Sequence, residues 1–243
     1  MIAQRLLLYY CNLYFALVRM KETVAVPSSA LLAPPFPRHP LVPASPWLEA
    51  PTLTGHHVVL EELRLEHAAE LFHALDDEEA WRYIPGPRPE NEEGMAAHIT
   101  GILRAGALGQ RVAWAYRHTD TGAVIGMSSY APADEKLGSV HIGGTMTARS
   151  HWRSGVNTEA KLLLMTRAFE TLAALRVEWQ TDHLNLRSQA AIERLGAVRE
   201  GVLRSHKPRR DGTRRDSVFY GMLAAEWPAA KERLLGRLAT YAG

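Results

Sequence analysis

The 243-residue chain holds a single cysteine, Cys11. One thiol excludes an intrachain disulfide framework and any cysteine-built metal site, and suits a reducing compartment. An excess of one charge is lacking too. Its 28 Lys and Arg stand against 26 Asp and Glu, a formal net charge of +2, so nothing announces a nucleic-acid or membrane partner. No Walker loop and no Gly-x-Ser-x-Gly elbow occurs, which removes P-loop and α/β-hydrolase chemistry. His56-His57 and Asp182-His183 lack ligand spacing and a third partner, so no metal is expected. The apolar stretch Leu6 to Val18 is broken by Asn12, flanked by Arg5 and Arg19, and too short to span a bilayer comfortably. It has the look of a signal-peptide core without a cleavage site after it. The plainer expectation is that translation starts at Met20.

What is present begins with proline. Eight of the fourteen prolines fall between Val26 and Pro51. Proline removes backbone donors and blocks helix and sheet, so this stretch reads as extended linker. Residues 1–52 are therefore expected to form a disordered leader, and residues 53–243 one folded domain. With 47% apolar and 22% charged residues, the composition is that of a soluble globular protein.

Within that domain the pattern mixes strands and helices. Val58–Leu63, Arg111–Arg117, Ala123–Tyr130, Ser139–Thr147, Arg176–Thr181, Val198–Ser205 and Ser217–Leu223 read as strands. Helices are expected over Glu66–Leu75, a short piece through Trp81, Asn91 to about Gly106, Asn157 to about Ala173, Leu186–Leu195 and Trp227–Leu238. The long helix from Asn157 places Leu162, Met165, Phe169 and Leu172 on one face. This is an α/β pattern without strict doubly wound order.

The most informative segment is His151-Trp152-Arg153-Ser154-Gly155-Val156-Asn157-Thr158-Glu159-Ala160. A strand precedes it and the long helix follows. The first N–H groups of a helix have no partner inside it, and the dipole end is positive, so such a turn can hold phosphate. Gly155 would let a ligand approach the backbone. An ordinary strand-to-helix turn has the same appearance. Downstream come Asn185-Leu186-Arg187-Ser188, Arg194-Leu195-Gly196-Ala197, Glu200-Gly201, Asp211-Gly212 and Arg215-Asp216-Ser217.

In this order and spacing the set resembles the GCN5-related N-acetyltransferase (GNAT) superfamily, and most closely its RimJ/RimL-like branch, over roughly Thr54 to Leu235. The resemblance implies a mixed, mostly antiparallel twisted sheet flanked by helices. It also implies acetyl-CoA as co-substrate, bound by Ser154, Gly155, Val156, Asn157 and Thr158, with Met146 and Thr147 along the pantetheine arm and Asn185 on the facing helix. The superfamily's loop usually begins with Arg or Gln and has Gly or Ala in its sixth place. Trp152 and Asn157 stand at those positions here.

Acetyl transfer needs a deprotonated amine, donors at the developing oxyanion and a proton for the leaving thiolate. His141 stands where many relatives carry a catalytic glutamate. Alternation groups it with Gly143 and Thr145, opposite Val140, Ile142 and Met146. It is a candidate base or a hydrogen-bonded strand histidine. Ile192 replaces the tyrosine frequent in the superfamily, and the branch's serine falls on Ser188, which is a proton donor or a capping residue beside Asn185. The branch's glutamate falls on Lys207, leaving His206 as a second base candidate. Trp81 and Tyr83 are expected on the acceptor side, with a core role for Trp81 equally open. The basic run from Arg199 to Arg215 could steer acidic partners, the cofactor's phosphates or ribosomal RNA; a solvated hairpin around Asp211-Gly212 is the plainer reading.

The expected activity is acetyl transfer from acetyl-CoA to a primary amine in a ternary complex. The acceptor would be a protein N-terminal α-amine or a small amine such as an antibiotic or polyamine. A non-catalytic CoA-binding module is the rival. A cytoplasmic monomer or homodimer without membrane or nucleic-acid partners completes the expectation.

Overall fold

The computed structural model describes His39, Val42 and residues 44–241. The apolar stretch before Arg19 and the proposed start at Met20 lie outside the described residues.

Eight strands form one sheet in the order β1-β2-β3-β4-β5-β6-β8-β7. They are β1 (Leu53–Thr54), β2 (Val58–Glu62), β3 (Val112–His118), β4 (Val124–Asp134), β5 (Ser139–Thr147), β6 (Arg176–Asp182), β7 (Val198–Pro208) and β8 (Arg214–Leu223). Every neighbouring pair is antiparallel except β5 and β6. The helices are α1 (Ala68–Ala74), α2 (Glu78–Trp81), α3 (Glu92–Ala107), α4 (Gly155–Thr166), α5 (Leu186–Arg194) and α6 (Trp227–Ala239).

The sheet separates two apolar cores. On one face Leu71, Met95 and Ile99 of α1 and α3 pack with Ala115, Met127 and Met146. On the other, Ala160, Leu164 and Met165 of α4 and Ala230 and Leu234 of α6 pack with Tyr130, Ile142, Val177 and Tyr220. The expected stripe Leu162, Met165, Phe169 and Leu172 is buried. Its last part is not α-helical: Arg167–Thr171 winds as a π-helical turn. Helix starts follow the side-chain signals. Asp77 caps α2, Asn91 caps α3, Ser154 caps α4 and Asn185 caps α5, each accepting a backbone N–H.

Packing begins ahead of Leu53. The proline-rich stretch expected as unstructured linker to residue 52 is fixed from Ser45 onward. A 3-10 turn, Pro46–Leu48, is capped by the Ser45 hydroxyl, and Trp47 enters the larger core. Arg167 secures the turn by donating to the carbonyls of Pro46 and Glu49. Prolines set the backbone here without preventing burial of the tryptophan between them.

Glu159, on α4, ties the first hairpin to the helix. Its buried carboxylate accepts from the backbone N–H of His56 at 2.8 Å, His57 at 2.6 Å and Val58 at 3.0 Å. Gly55 lies directly over it; a Cβ there would stand 2.4 Å from the Glu159 carboxyl carbon. Glu159→Gln turns an NH2 group toward amides that need an acceptor. Urea unfolding is expected to show a loss of about 2–4 kcal/mol. An unchanged midpoint would mean the three bonds contribute nothing net.

Candidate active site

β5 and β6 run parallel and pair only over Ser139–His141 with Arg176–Glu178. Beyond His141 they part. β5 stays joined to β4 as far as Thr147, and β6 to β8 as far as Asp182. The β6-facing edge of residues 143–147 therefore has no strand partner among the described residues, which leaves backbone donors and acceptors facing a wedge. Gly144 sits in this stretch at φ +61°, where the β4–β5 register slips. That conformation suits glycine.

The slip overturns simple alternation along β5. His141 and Gly143 share a face, since a Cβ on Gly143 would stand 2.9 Å from His141 Nε2, but Thr145 does not join them. Met146 pairs with Met127 in the α1/α3 core, whereas Thr145 Oγ1 turns toward α4. Bulges reverse side-chain direction in this way.

Residues expected on the cofactor form the mouth of the wedge. Met146 and Thr147 end β5, and both are buried. The Thr147 carbonyl accepts from Trp152 Nε1 at 2.8 Å. Arg153 has φ +63° and turns the chain into α4. Ser154 Oγ accepts from Val156 N and donates to His151 O. Val156 is buried, and Asn157 and Thr158 are half-buried in the first turn. Gly155 has a different reason for its size than the one expected. A Cβ there would meet the His57 ring at 2.7 Å, so the glycine makes room for the first hairpin.

Asn185 and Ser188 face this mouth from α5. Asn185 Oδ1 accepts from Ser188 N at 3.0 Å, which is the capping role. The Ser188 hydroxyl has no partner among the described residues. The two walls meet where the Arg187 guanidinium lies over the Trp152 ring, 3.4 Å from its centroid, a cation–π contact.

On the α1/α3 face, His141 is buried and 3.8 Å from Glu178. Burial, then the positive charges of Lys207 and Arg111, push its pKa down to about 4. It is neutral near pH 7 and a weak base. His206 packs against Phe219, the cross-strand partner of Gln180. Trp81 is no acceptor wall: it is 1% exposed, its Nε1 donates to Leu75 O, and its ring packs edge-on to His98. Tyr83 is half-buried, and its hydroxyl donates to Leu184 O at 3.1 Å. With Ile84, Pro85, Asp182, Arg209 and Arg215 it borders a shallow depression. A larger depression, 390 Å³, lies beside β2, and the Arg117–Glu61 ion pair lines it.

On the α4 face stands a residue that sequence reasoning passed over. Lys161 is 5% exposed. Its Nζ donates to Thr145 Oγ1 at 2.5 Å, Ser128 Oγ at 3.0 Å and Tyr116 Oη at 3.5 Å. Three hydroxyls and no carboxylate surround this ammonium among the described residues, and burial lowers its pKa to about 7. A lysine within an apolar helical stripe resembles a solvated flank. Only the sheet register shows that it points inward beneath the bulge.

An "Acetyltransferase (GNAT) domain" profile matches residues 57–198. The chain belongs to the GNAT acetyltransferase family. The uncharacterized N-acetyltransferase YoaA of Bacillus subtilis (strain 168) is 25% identical over 176 residues, covering 71% of this chain and 97% of YoaA. A solved structure from T. thermophilus, provisionally named an acetyltransferase, is 40% identical. It covers 77% of this chain and 96% of its own, with a TM-score of 0.70. Mycobacterium smegmatis RimJ, solved with a CoA disulfide, shares the fold at TM-score 0.68 and 20% identity, covering 77% and 95%. The protein is thus an acyl-CoA-dependent acetyltransferase with the mixed α/β fold of its family.

Lys161 supplies a test by pH. The unfolded chain keeps a lysine protonated to about pH 10.5, the folded chain only to about pH 7. Between these values the unfolded state binds the extra proton, so the lysine's destabilising effect fades as pH rises. Lys161→Met is expected to gain about 1–3 kcal/mol below pH 7 and progressively less toward pH 10, by denaturant melts. A gain that does not vary with pH would contradict the buried ammonium.

Proposed function

We propose that this acetyltransferase moves the acetyl group of acetyl-CoA to a primary amine by direct attack within a ternary complex. The observation that carries the reading is the wedge between β5 and β6. Its unpaired β5 edge can hydrogen-bond an extended amide-bearing arm as a missing strand would. The first turn of α4 supplies N–H groups and a positive dipole end for a pyrophosphate. Ser154, Gly155, Val156, Asn157 and Thr158 hold that end, Met146 and Thr147 line the arm, and Asn185 fixes the start of the facing helix. Acetyl-CoA brings the activated acyl group as a thioester. Arg187 must leave or share Trp152 for a ligand to pass between the walls.

The amine enters from the α1/α3 face, past Tyr83, and reaches the wedge beside His141. Neutral His141 takes the amine's proton directly or through a water. Its low basicity is offset because Arg111 and Lys207, which depress its pKa, also favour the uncharged amine. Backbone N–H groups at the bulge meet the developing oxyanion. The free hydroxyl of Ser188 supplies the proton for the thiolate. Cys11 takes no part, so no acyl-enzyme forms.

The Asn185-Leu186-Arg187-Ser188 segment supports placing the chain in the RimJ/RimL-like branch, and with it a second reading in which the acceptor is a protein N-terminus. Transfer from acetyl-CoA fits a cytoplasmic protein, and no helix among the described residues is long and apolar enough to cross a membrane.

Thiol release from acetyl-CoA, followed with small amines and N-terminal peptides, tests the reading. His141→Ala is expected to lower kcat by about 100-fold, while His206→Ala leaves it near wild type. Because His141 is neutral above about pH 4, the wild-type profile should show no step near 6.5 that disappears with His141. Equal rates in both variants would remove His141 from the chemistry, and acceptor-independent release would defeat the transfer reading.

A further inference from the structure

The α1/α3 face of the site carries an imbalance of charge that amine acetylation does not by itself require. Arg111, at the head of β3, is half-buried, and that burial lowers its pKa. No hydrogen bond or ion pair to it occurs among the described residues. Its guanidinium reaches the bulge: Nη1 is 3.9 Å from where a Cβ on Gly144 would stand. Lys207, on β7, leans across β8, and its Nζ donates to Gln180 Oε1 at 3.0 Å. Burial first, then Arg215 and Arg111, lower its pKa to about 8. Both cations act on His141, and Arg111 also acts on His98 of α3. The side chains therefore converge from β3, β5, β7 and α3 on the same end of the wedge.

The carboxylates nearby are already matched. Glu178, opposite His141, holds Arg176 at 3.2 Å. Asp182 is held by Arg209 through both oxygens, at 2.7 and 3.0 Å. On the rim, Glu78 takes Arg88 and Arg210, and Glu79 takes Arg82. Arg215 is buried and donates to Ser217 Oγ. Arg111 and Lys207, both half-buried, are left without an acidic partner among the described residues. Burying a cation is costly unless an anion or a full set of acceptors meets it. The phosphates of acetyl-CoA would lie at the other end of the wedge, against α4, so they do not supply that anion.

We infer that the acceptor amine carries an anionic group, a carboxylate or a phosphate, which Arg111 receives with Lys207 beside it. The planar guanidinium suits either group in a two-point contact. This rests on the transfer reading above and narrows it to small amphoteric amines. A polyamine, or a protein N-terminus without an acidic first residue, would bring no anion at that distance from the amine.

The test uses the full chain with acetyl-CoA and matched acceptors: amino acids against their carboxamides, and phosphoethanolamine against ethanolamine. The anionic member of at least one set is expected to have the higher kcat/KM, by about 10- to 100-fold. The difference should lie chiefly in KM, and its set tells carboxylate from phosphate. Arg111→Gln should erase the preference and Arg111→Lys restore part of it, with acetyl-CoA affinity by calorimetry unchanged in both. Neutral members turned over as well as anionic ones would overturn the inference and leave the transferase standing. A preference that survives Arg111→Gln would also overturn it. Thiol release from no member of either set, with release from N-terminal peptides, would overturn it in favour of the protein acceptor. Release from no acceptor of any kind would take the transfer reading down with it.

Discussion

The parting of β5 from β6 is the constraint around which the molecule is arranged. A parallel pair that breaks after three residues leaves a strand edge that no other described strand covers. An uncovered edge is normally a liability. Here it opens inside the sheet, between two halves each held by its own antiparallel ladders. Neither half can close the gap, because β5 is committed to β4 and β6 to β8. The bulge at Gly144 then fixes what lines the gap. It sends Thr145 toward Lys161 on one side and leaves Arg111 close to the backbone on the other.

The two faces of the sheet consequently differ in chemistry. Behind β5, on the α4 side, a lysine lies among hydroxyls in a closed core. In front of it, on the side of α1 and α3, stand His141, buried, and Arg111 and Lys207, both half-buried. Both faces lower the pKa of their basic groups, mainly by burial. In the proposed reading the front face is the one that meets the acceptor.

The fold was legible from sequence because its signals are local. The alternation in β3, β4 and β5, the caps Asn91 and Ser154, and the apolar stripe of α4 each declare an element within a few residues. The reading missed what depends on register. Alternation misplaced Thr145 and Met146 because one extra residue at Gly144 inverts the pattern. The packing of Gly155 on His57 was not legible either, since His57 lies about a hundred residues earlier in the chain. Trp81 looked like a wall because an aromatic before a Gly-Pro turn suits either a wall or a core, and only its bond to Leu75 decides. Lys161 and Arg111 gave no signal at all, since nothing near them in sequence shows that the first is buried and the second half-buried. Trp47 was hidden by the prolines around it.

Glu159 links these parts in one further respect. Its carboxylate holds the turn that carries His57, and His57 packs on Gly155 at the head of α4. The far edge of the sheet thus acts as a splint for the helix end opposite it. Residues 53–56 lie outside the segment that defines the family, yet they brace the part of the molecule that most of that segment serves. Kinship by sequence and mechanical necessity therefore have different borders in this chain, and the second begins earlier.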